Sequence, residues 1–274
     1  MNVTKTIWVS MAFIVTFSAA ATAGAQGRRG GPPIAGSGGG TVEHVVVAPD
    51  RSASLYLPPG YAADQARRFP VVYFLHDSGE PADGPINQMN GFAGMLAAPP
   101  GFSEPIVVVP DTSTIQMTGA LKQFVADDLV AYIDGHYRTL AKSISRGLAG
   151  HGMGGYGALR IGMKRPDVFS SLYIMSACCL NDGANALLPM LEQYTRNLQK
   201  YYSITIDIGT GDPSILPNRQ LHEGMARFLI PHYYEEYEGD HNNRRAVRFE
   251  RNLLPFFSRN LAAPANPTSP AVQR

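Results

Sequence analysis

The sequence predicts an α/β fold, with a mostly parallel central sheet of about eight strands and helices on both of its faces. Two short segments, 69–75 and 104–109, are almost continuously apolar, which is typical of strands buried on both sides. The segment 119–136 instead repeats apolar residues at helical spacing. Because such strands and helices alternate along the chain, a covered parallel sheet is the architecture that fits.

The remaining elements follow from the same patterns and from their proline and glycine boundaries. The predicted strands are 43–48, 54–57, 69–75, 104–109, 144–149, 172–175, 203–208 and 232–237. The predicted helices are 119–136, 156–163, 184–198, 222–229 and 243–257. We find no internal repeat and no linker between two domains, so one domain over 41–261 is expected.

Composition excludes some classes of function. The chain has 274 residues, of which 45% are hydrophobic and 16% charged, as expected for a domain with a large core. Its formal net charge of +1 gives no electrostatic case for binding nucleic acid or an anionic membrane. Neither nucleic acid nor a membrane surface is therefore an expected partner, and a small-molecule partner is compatible with this composition.

The two ends differ in composition from the domain. Residues 1–25 read as a secretory signal peptide, with a positive charge at Lys5, an apolar stretch over 7–17 and small residues at the cleavage site. The apolar stretch is shorter than the roughly 20 residues of a membrane span, so no transmembrane anchor is expected. We predict a secreted or periplasmic protein with a flexible linker over 26–40 and a disordered tail over 262–274.

The most informative segment is a glycine-rich turn, Leu148 to Ala158, between a predicted strand and a predicted helix. Strand, sharp turn and helix form the context of the nucleophile elbow, G-x-S-x-G. Glycines flank the centre of this turn because the backbone is strained and packs closely there. The central residue, where serine is expected, is Gly152.

The nonapeptide from Gly150 to Ala158, G-H-G-M-G-G-Y-G-A, resembles the G-H-S-M-G-G-x-G-A elbow of the Putative esterase family of α/β-hydrolases. That family includes esterase D (S-formylglutathione hydrolase), feruloyl esterases, enterochelin-esterase-like enzymes and the antigen 85 mycolyltransferases. The similarity extends over about 41–261 and includes L-Y-L-P-P-G-Y at 55–61 and V-Y-F-L-H at 72–76. The resemblance implies an α/β-hydrolase fold and hydrolysis of carboxylic esters by a Ser–Asp–His site.

Two residues that follow later strands complete the expected triad. Asp212 comes after the strand 203–208 and His241 after the last strand, so the chain order is elbow, acid, histidine. His241 is predicted to be the general base, and Asp212 to orient its imidazole. Asp207 is a competing acid within a strand, and Asp240 a less suitable one beside the histidine.

The oxyanion hole requires two backbone N–H donors. We predict the amide of Met153 as one donor and that of Ser78 as the other, with Asp77 as the rival to Ser78. The family usually has glycine at the position of Asp77, and a carboxylate turned inward there would repel an oxyanion. His76, Asp77 and His151 are candidate substrate-binding residues, although a structural role is the preferred interpretation of both histidines.

Neither a metal nor a cofactor is expected. The only cysteines, Cys178 and Cys179, are adjacent, which disfavours a disulfide between them, and no further cysteine pair accompanies them. We interpret them as a buried pair that follows a strand.

Glycine has no nucleophilic group, so an acyl-enzyme cannot form at Gly152. Three explanations stay open: a natural pseudo-esterase, a serine lost from an active enzyme, or direct activation of water by His241. The sequence predicts an exported esterase-family protein whose activity is lost or strongly reduced, with a non-catalytic binding protein as the alternative. The segments 81–102 and 183–201, which would contact the substrate, suit a small or aromatic ester better than a long lipid, and acyl transfer is a third possibility.

Overall fold

The computed structural model describes residues 34–35, 40–87, 104–112, 119–180 and 187–261. The predicted signal peptide, most of the predicted linker, the tail and parts of the two predicted substrate segments lie outside these ranges. Within them, none of the helices combines the length and the apolar character that a membrane crossing requires.

The described strands form one nine-stranded sheet with the order β1-β2-β3-β5-β4-β6-β7-β8-β9. The pairs from β1 to β3, and β3 with β5, are antiparallel, whereas all pairs from β5 to β9 are parallel. The strands are β1 Ile34–Ala35, β2 Thr41–Ala48, β3 Arg51–Leu57, β4 Val71–Leu75, β5 Ile106–Pro110, β6 Arg146–His151, β7 Ser171–Met175, β8 Ser203–Gly209 and β9 Tyr233–Tyr237. The α/β architecture predicted from the sequence is confirmed.

Helices cover both faces of this sheet. They are α1 Pro59–Ala63, α2 Gly119–Gln123, α3 Leu129–His136, α4 Met153–Lys164, α5 Leu187–Leu198, α6 Ile215–Arg227, α7 Arg245–Arg248 and α8 Leu254–Asn260. Single π-helical turns, Phe124–Asp128 and Phe249–Leu253, join α2 to α3 and α7 to α8, so each pair is one continuous helical segment.

The core consists of two apolar layers, because successive side chains of a strand point to opposite faces of the sheet. In β4, Tyr73 and Leu75 belong to the larger layer, which packs against the helices before and after the elbow. Val72 and Phe74 point the other way, into the layer closed by the C-terminal helical segment. The fully buried Phe74 and Phe249 make an edge-to-face contact there, with ring centroids 5.2 Å apart.

Two local predictions are wrong, and one short strand lies where none was predicted. Helix α6 was expected at 222–229 but begins at Ile215; Pro217 lies in its first turn, where a missing N–H costs no helical hydrogen bond. The strand Ile34–Ala35 lies in the segment expected to be a flexible linker, and it pairs with the start of β2. The cysteines are not a buried pair: Cys178 is half-buried and Cys179 is exposed, although Ala177 and Leu180 on either side are fully buried, and Cys179 has a φ of +58°.

Candidate active site

The turn between β6 and α4 has the conformation of a nucleophile elbow. Gly152 has a φ of +55° and a ψ of −117°, a conformation that side-chain-bearing residues rarely adopt. The neighbouring glycines are required by close backbone contacts: a Cβ on Gly154 would lie 2.0 Å from the carbonyl oxygen of Leu75. The elbow therefore holds the start of α4 directly against the end of β4.

The predicted acid and histidine are in contact. The Nδ1–H of His241 donates to Asp212 Oδ2 over 2.8 Å, and the Ser214 amide donates to Asp212 Oδ1 over 2.7 Å. Asp212 is 2% exposed, so its carboxylate is fixed by these two bonds. Both residues follow the carboxyl ends of adjacent parallel strands, β8 and β9, which is the reason that the loops bring them together.

The competing acids have other partners. Asp207 is buried in β8, where it forms an ion pair with Arg248 and accepts a hydrogen bond of 2.7 Å from the Tyr173 hydroxyl. Asp240 accepts hydrogen bonds from the amides of Asn242 and Asn243 in its own turn. Asp212 is thus the acid that orients His241 Nδ1.

The two predicted oxyanion-hole donors also converge, and the acceptor is a side chain of the protein itself. The amides of Met153 and Ser78 donate to the same oxygen, Asp77 Oδ1, over 2.7 and 2.8 Å. Asp77 follows β4 and turns its carboxylate inward, the orientation in which it opposes a substrate oxyanion. The predicted oxyanion hole is therefore filled by an anion.

The same carboxylate occupies the space above Gly152. A Cβ at position 152 would lie 2.2 Å from Asp77 Oδ1, 2.3 Å from Cγ and 2.5 Å from Oδ2, so a side chain there requires the carboxylate to move away. The other side-chain nitrogen of His241, Nε2, is 3.0 Å from Asp77 Oδ2. Asp77 thus makes the contact with histidine that a serine hydroxyl makes in a Ser–His–Asp triad.

Sequence reasoning missed this arrangement. It treated Gly152 and Asp77 as two separate departures from the family pattern, although each explains the other. The signal in the sequence was the combination of the two departures. Asp77 is larger than the glycine expected on its loop, and Gly152 is smaller than the serine expected on the facing turn.

Two carboxylates set the charge of His241. Hydrogen bonds to Asp212 and then to Asp77 raise the pKa of His241 to about 9, so its ring is protonated at neutral pH. Burial acts to raise the pKa of Asp77, but hydrogen bonds from His241, Met153 and Ser78 outweigh burial and hold that pKa well below its usual value. In this state His241 is a cation between two anions, not a free general base.

The two candidate substrate-binding histidines differ. His76 is buried; its Nδ1 donates to the Asp77 carbonyl over 2.8 Å and its Nε2 accepts from the Thr112 amide over 3.1 Å, which supports the structural interpretation. His151 is fully buried, and its Nε2 donates to the His241 carbonyl over 2.9 Å. Its Nδ1 has no hydrogen-bond partner in the described part of the chain and lies 3.9 Å from Asp77 Oδ2.

Burial lowers the pKa of His151 to about 3, with a further contribution from the nearby positive charge of His241. The ring is therefore neutral. Because Nε2 carries the proton, Nδ1 presents a lone pair toward the Asp77 carboxylate.

Comparison with known proteins places these observations in a family. The family model described as Putative esterase matches residues 47–256. Two curated relatives are the uncharacterized protein YjcH of Bacillus subtilis, 27% identical over 129 residues, and an endo-1,4-beta-xylanase/feruloyl esterase of Xylanibacter ruminicola, 28% identical over 141 residues. These alignments cover 44% and 46% of this chain but only 53% and 19% of the relatives. A solved ferulic acid esterase superposes with a TM-score of 0.67 at 22% identity, over 76% of this chain and 92% of its own.

Proposed function

Because the chain belongs to the Putative esterase family, we propose that it is an exported carboxylic-ester hydrolase that works without a serine acyl-enzyme. The family supports the reaction class, the leader pattern of residues 1–25 supports export, and the position of the Asp77 carboxylate above Gly152 supports hydrolysis without a serine acyl-enzyme. With no nucleophilic atom on the elbow, water must attack the acyl carbon directly. His241, held in place by Asp212, exchanges a proton with that water after it has lost the proton that it shares with Asp77.

The expected rate is low in the absence of a further activating group. Loss of the nucleophile in a triad enzyme costs on the order of 10⁶ in turnover and leaves ~10³–10⁴ over the reaction in water. The substrate class we propose is an ester of a small or aromatic acid, in line with the aromatic-acid esterase activity named for one solved relative.

Hydrolysis of p-nitrophenyl acetate and of methyl ferulate, combined with a fluorophosphonate probe, tests this proposal. We expect slow turnover that is lost in His241→Ala, and no covalent labelling at the elbow, because the probe requires a nucleophile. The exposed His136→Ala is the matched control and should retain the activity. Turnover that disappears on labelling of another serine would overturn hydrolysis by water.

Export is tested separately. Expression of the full chain in a bacterial host, followed by N-terminal sequencing of the periplasmic and secreted fractions, should give a mature protein that begins shortly after Ala23 or Ala25. Recovery of the uncleaved chain from the cytosol alone would contradict this part of the proposal.

A non-catalytic binding protein is the second candidate, and one observation favours it. Asp77 occupies both oxyanion-hole donors, and His241 is protonated at neutral pH, so the site as described is a closed set of ion pairs. If a broad panel of esters is not hydrolysed above the buffer rate while methyl ferulate or ferulate binds in calorimetry, this candidate replaces the hydrolase.

A further inference from the structure

We propose that His151 Nδ1, His241 Nε2 and Asp77 Oδ2 bind a divalent transition-metal ion, with Zn²⁺ as the preferred ion. This inference goes against the expectation from the sequence, in which no metal site was predicted. The site can exist whether or not esters are hydrolysed; only its catalytic role rests on the proposed function.

The three atoms have the spacing of a metal site before any ion is added. All lie within 4.8 Å of one another, with 3.0 Å between His241 Nε2 and Asp77 Oδ2 and 3.9 Å between His151 Nδ1 and the same oxygen. Tetrahedral zinc with bonds of about 2.0–2.1 Å to nitrogen and oxygen separates its ligand atoms by roughly 3.3 Å. The two separations from Asp77 Oδ2 are within about 0.6 Å of that value, and the two histidine nitrogens would have to approach each other by at most about 1.5 Å.

Each of the three side chains is oriented by a bond from its other polar atom. His151 Nε2 donates to the His241 carbonyl, and His241 Nδ1 donates to the buried Asp212 carboxylate. Asp77 Oδ1 accepts from the Met153 and Ser78 amides. Such outer partners are what fix the tautomer of a metal-binding histidine and the direction of a metal-binding carboxylate.

The unpartnered nitrogen of His151 is the independent observation that points to a ligand. Its ring is 0% exposed, and Nδ1 has no hydrogen-bond partner among the described residues although Asp77 Oδ2 lies 3.9 Å away. Leaving a buried polar atom unsatisfied costs about 1–3 kcal/mol. A metal ion would satisfy Nδ1 and replace the proton that His241 shares with Asp77.

The charges around the three ligands admit a divalent cation. Asp77 and Asp212 contribute two negative charges. The nearest buried cation, Arg248, forms an ion pair with Asp207 and is largely neutralised. Two histidines and one carboxylate are also the ligand set of several hydrolytic zinc enzymes.

Three protein ligands leave one coordination position for water, and zinc lowers the pKa of such a water to about 7. The bound hydroxide would add to the ester carbonyl carbon. The bond from that carbon to the leaving oxygen then breaks, and the proton of the hydroxide passes to the alkoxide, so that a carboxylate and an alcohol are released. A new water binds and loses one proton to solvent, which restores the hydroxide.

The test is a titration of the chelator-treated, dialysed protein with Co²⁺, followed by visible absorption, with Zn²⁺ as the competitor. We expect one equivalent of Co²⁺ in a site of low coordination number, displaced by Zn²⁺. His151→Ala and Asp77→Asn should each weaken binding at least about 100-fold, because loss of an outer partner alone already costs 10–100-fold. His136→Ala, at an exposed histidine, should bind as the original protein does.

His151 is fully buried, so circular dichroism must show that its variant folds. Asp77 is partly exposed, so Asp77→Asn provides a second measurement of Co²⁺ binding in a variant that is less prone to misfolding. Unchanged one-to-one Co²⁺ binding in Asp77→Asn, or no binding to the original protein, would overturn the site. Metal binding without ester hydrolysis would support the site and overturn the proposed function. Ester hydrolysis that is insensitive to chelator would support the proposed function and overturn the catalytic role of the metal.

Discussion

Two changes together, Asp77→Gly and Gly152→Ser, should convert the site into a serine hydrolase. The hydroxymethyl group at position 152 requires the space that Asp77 now fills, since a Cβ there would lie 2.2–2.5 Å from the carboxylate atoms. Removal of that carboxylate also frees the amides of Met153 and Ser78 for a substrate oxyanion. It removes one of the two anions that raise the pKa of His241, so a neutral base becomes available at lower pH.

The single variant Gly152→Ser should fold less stably and gain no activity. The introduced serine needs a positive φ, at a cost of about 1–2 kcal/mol. It also displaces Asp77, whose charge-assisted hydrogen bonds are worth about 1.5–3 kcal/mol each, partly replaced by water. Together we expect a loss of about 2–4 kcal/mol in the free energy of unfolding, measured by urea denaturation.

The double variant should be faster than Asp77→Gly alone by at least ~10³ in kcat, a fraction of the 10⁶ that a nucleophile contributes in an intact triad. The assay is p-nitrophenyl acetate hydrolysis in the presence of chelator, which removes any metal-dependent contribution. The serine introduced at position 152 should also react with a fluorophosphonate probe, and His241→Ala in the same background should abolish both results.

A double variant that folds, yet neither reacts with the probe nor exceeds Asp77→Gly in rate, would refute the reasoning. It would mean that the position of Asp77 above Gly152 is not what separates this site from a working triad.

Two further predictions concern stability. The pKa of His241 is about 9 when folded and near 6.5 when unfolded, so its stabilisation is complete below about pH 6.5 and is lost as pH rises through 9. The free energy of unfolding of the metal-free protein should therefore fall between pH 7 and 10, and fall less in Asp77→Asn. Arg248→Met should lower it by about 3–5 kcal/mol, because it leaves Asp207 charged and buried without its partner; Arg251→Met, at an exposed arginine, should change it little.

Each of these two stability predictions has its own contradicting result. A urea-unfolding profile that is level from pH 7 to 10 would show that His241 is not held between two carboxylates. A thermal unfolding midpoint for Arg248→Met equal to that of Arg251→Met would show that the ion pair with Asp207 contributes nothing.

The fold was predictable because its signals are local and repeated. The apolar run at 69–75 and the helical spacing over 119–136 each fix an element type, and the glycine turn fixes the order of strand, elbow and helix. Helix α6 was placed too late because prolines at 213 and 217 hid its first turn. Prolines are compatible with the start of a helix, but the spacing of apolar residues does not show this.

The contact of Asp212 with His241 was also predictable, because the carboxyl ends of parallel strands meet at one edge of the sheet. The direction of the Asp77 side chain was not. The direction of that side chain depends on the space left by the missing Cβ at position 152, which is distant in sequence. It also depends on the amide of Met153, which is positioned to donate only once the elbow has formed. The orientation of His151 is set in the same way, by a backbone carbonyl of a distant loop.

The contact between Asp77 and Gly152 also bears on the three explanations for the missing serine. Loss of the serine side chain alone would open the space into which the Asp77 carboxylate, the end of a flexible side chain, can turn. Asp77 is bonded to both predicted oxyanion-hole donors and to His241, and a Cβ at 152 requires its carboxylate to move. Asp212 orients His241 so that its Nε2 lies 3.0 Å from that carboxylate and its ring lies 4.6 Å from the ring of His151, between centroids. Restoration of activity by Gly152→Ser alone would show that only the hydroxyl is missing, whereas a requirement for Asp77→Gly as well would show a site rebuilt around Asp77.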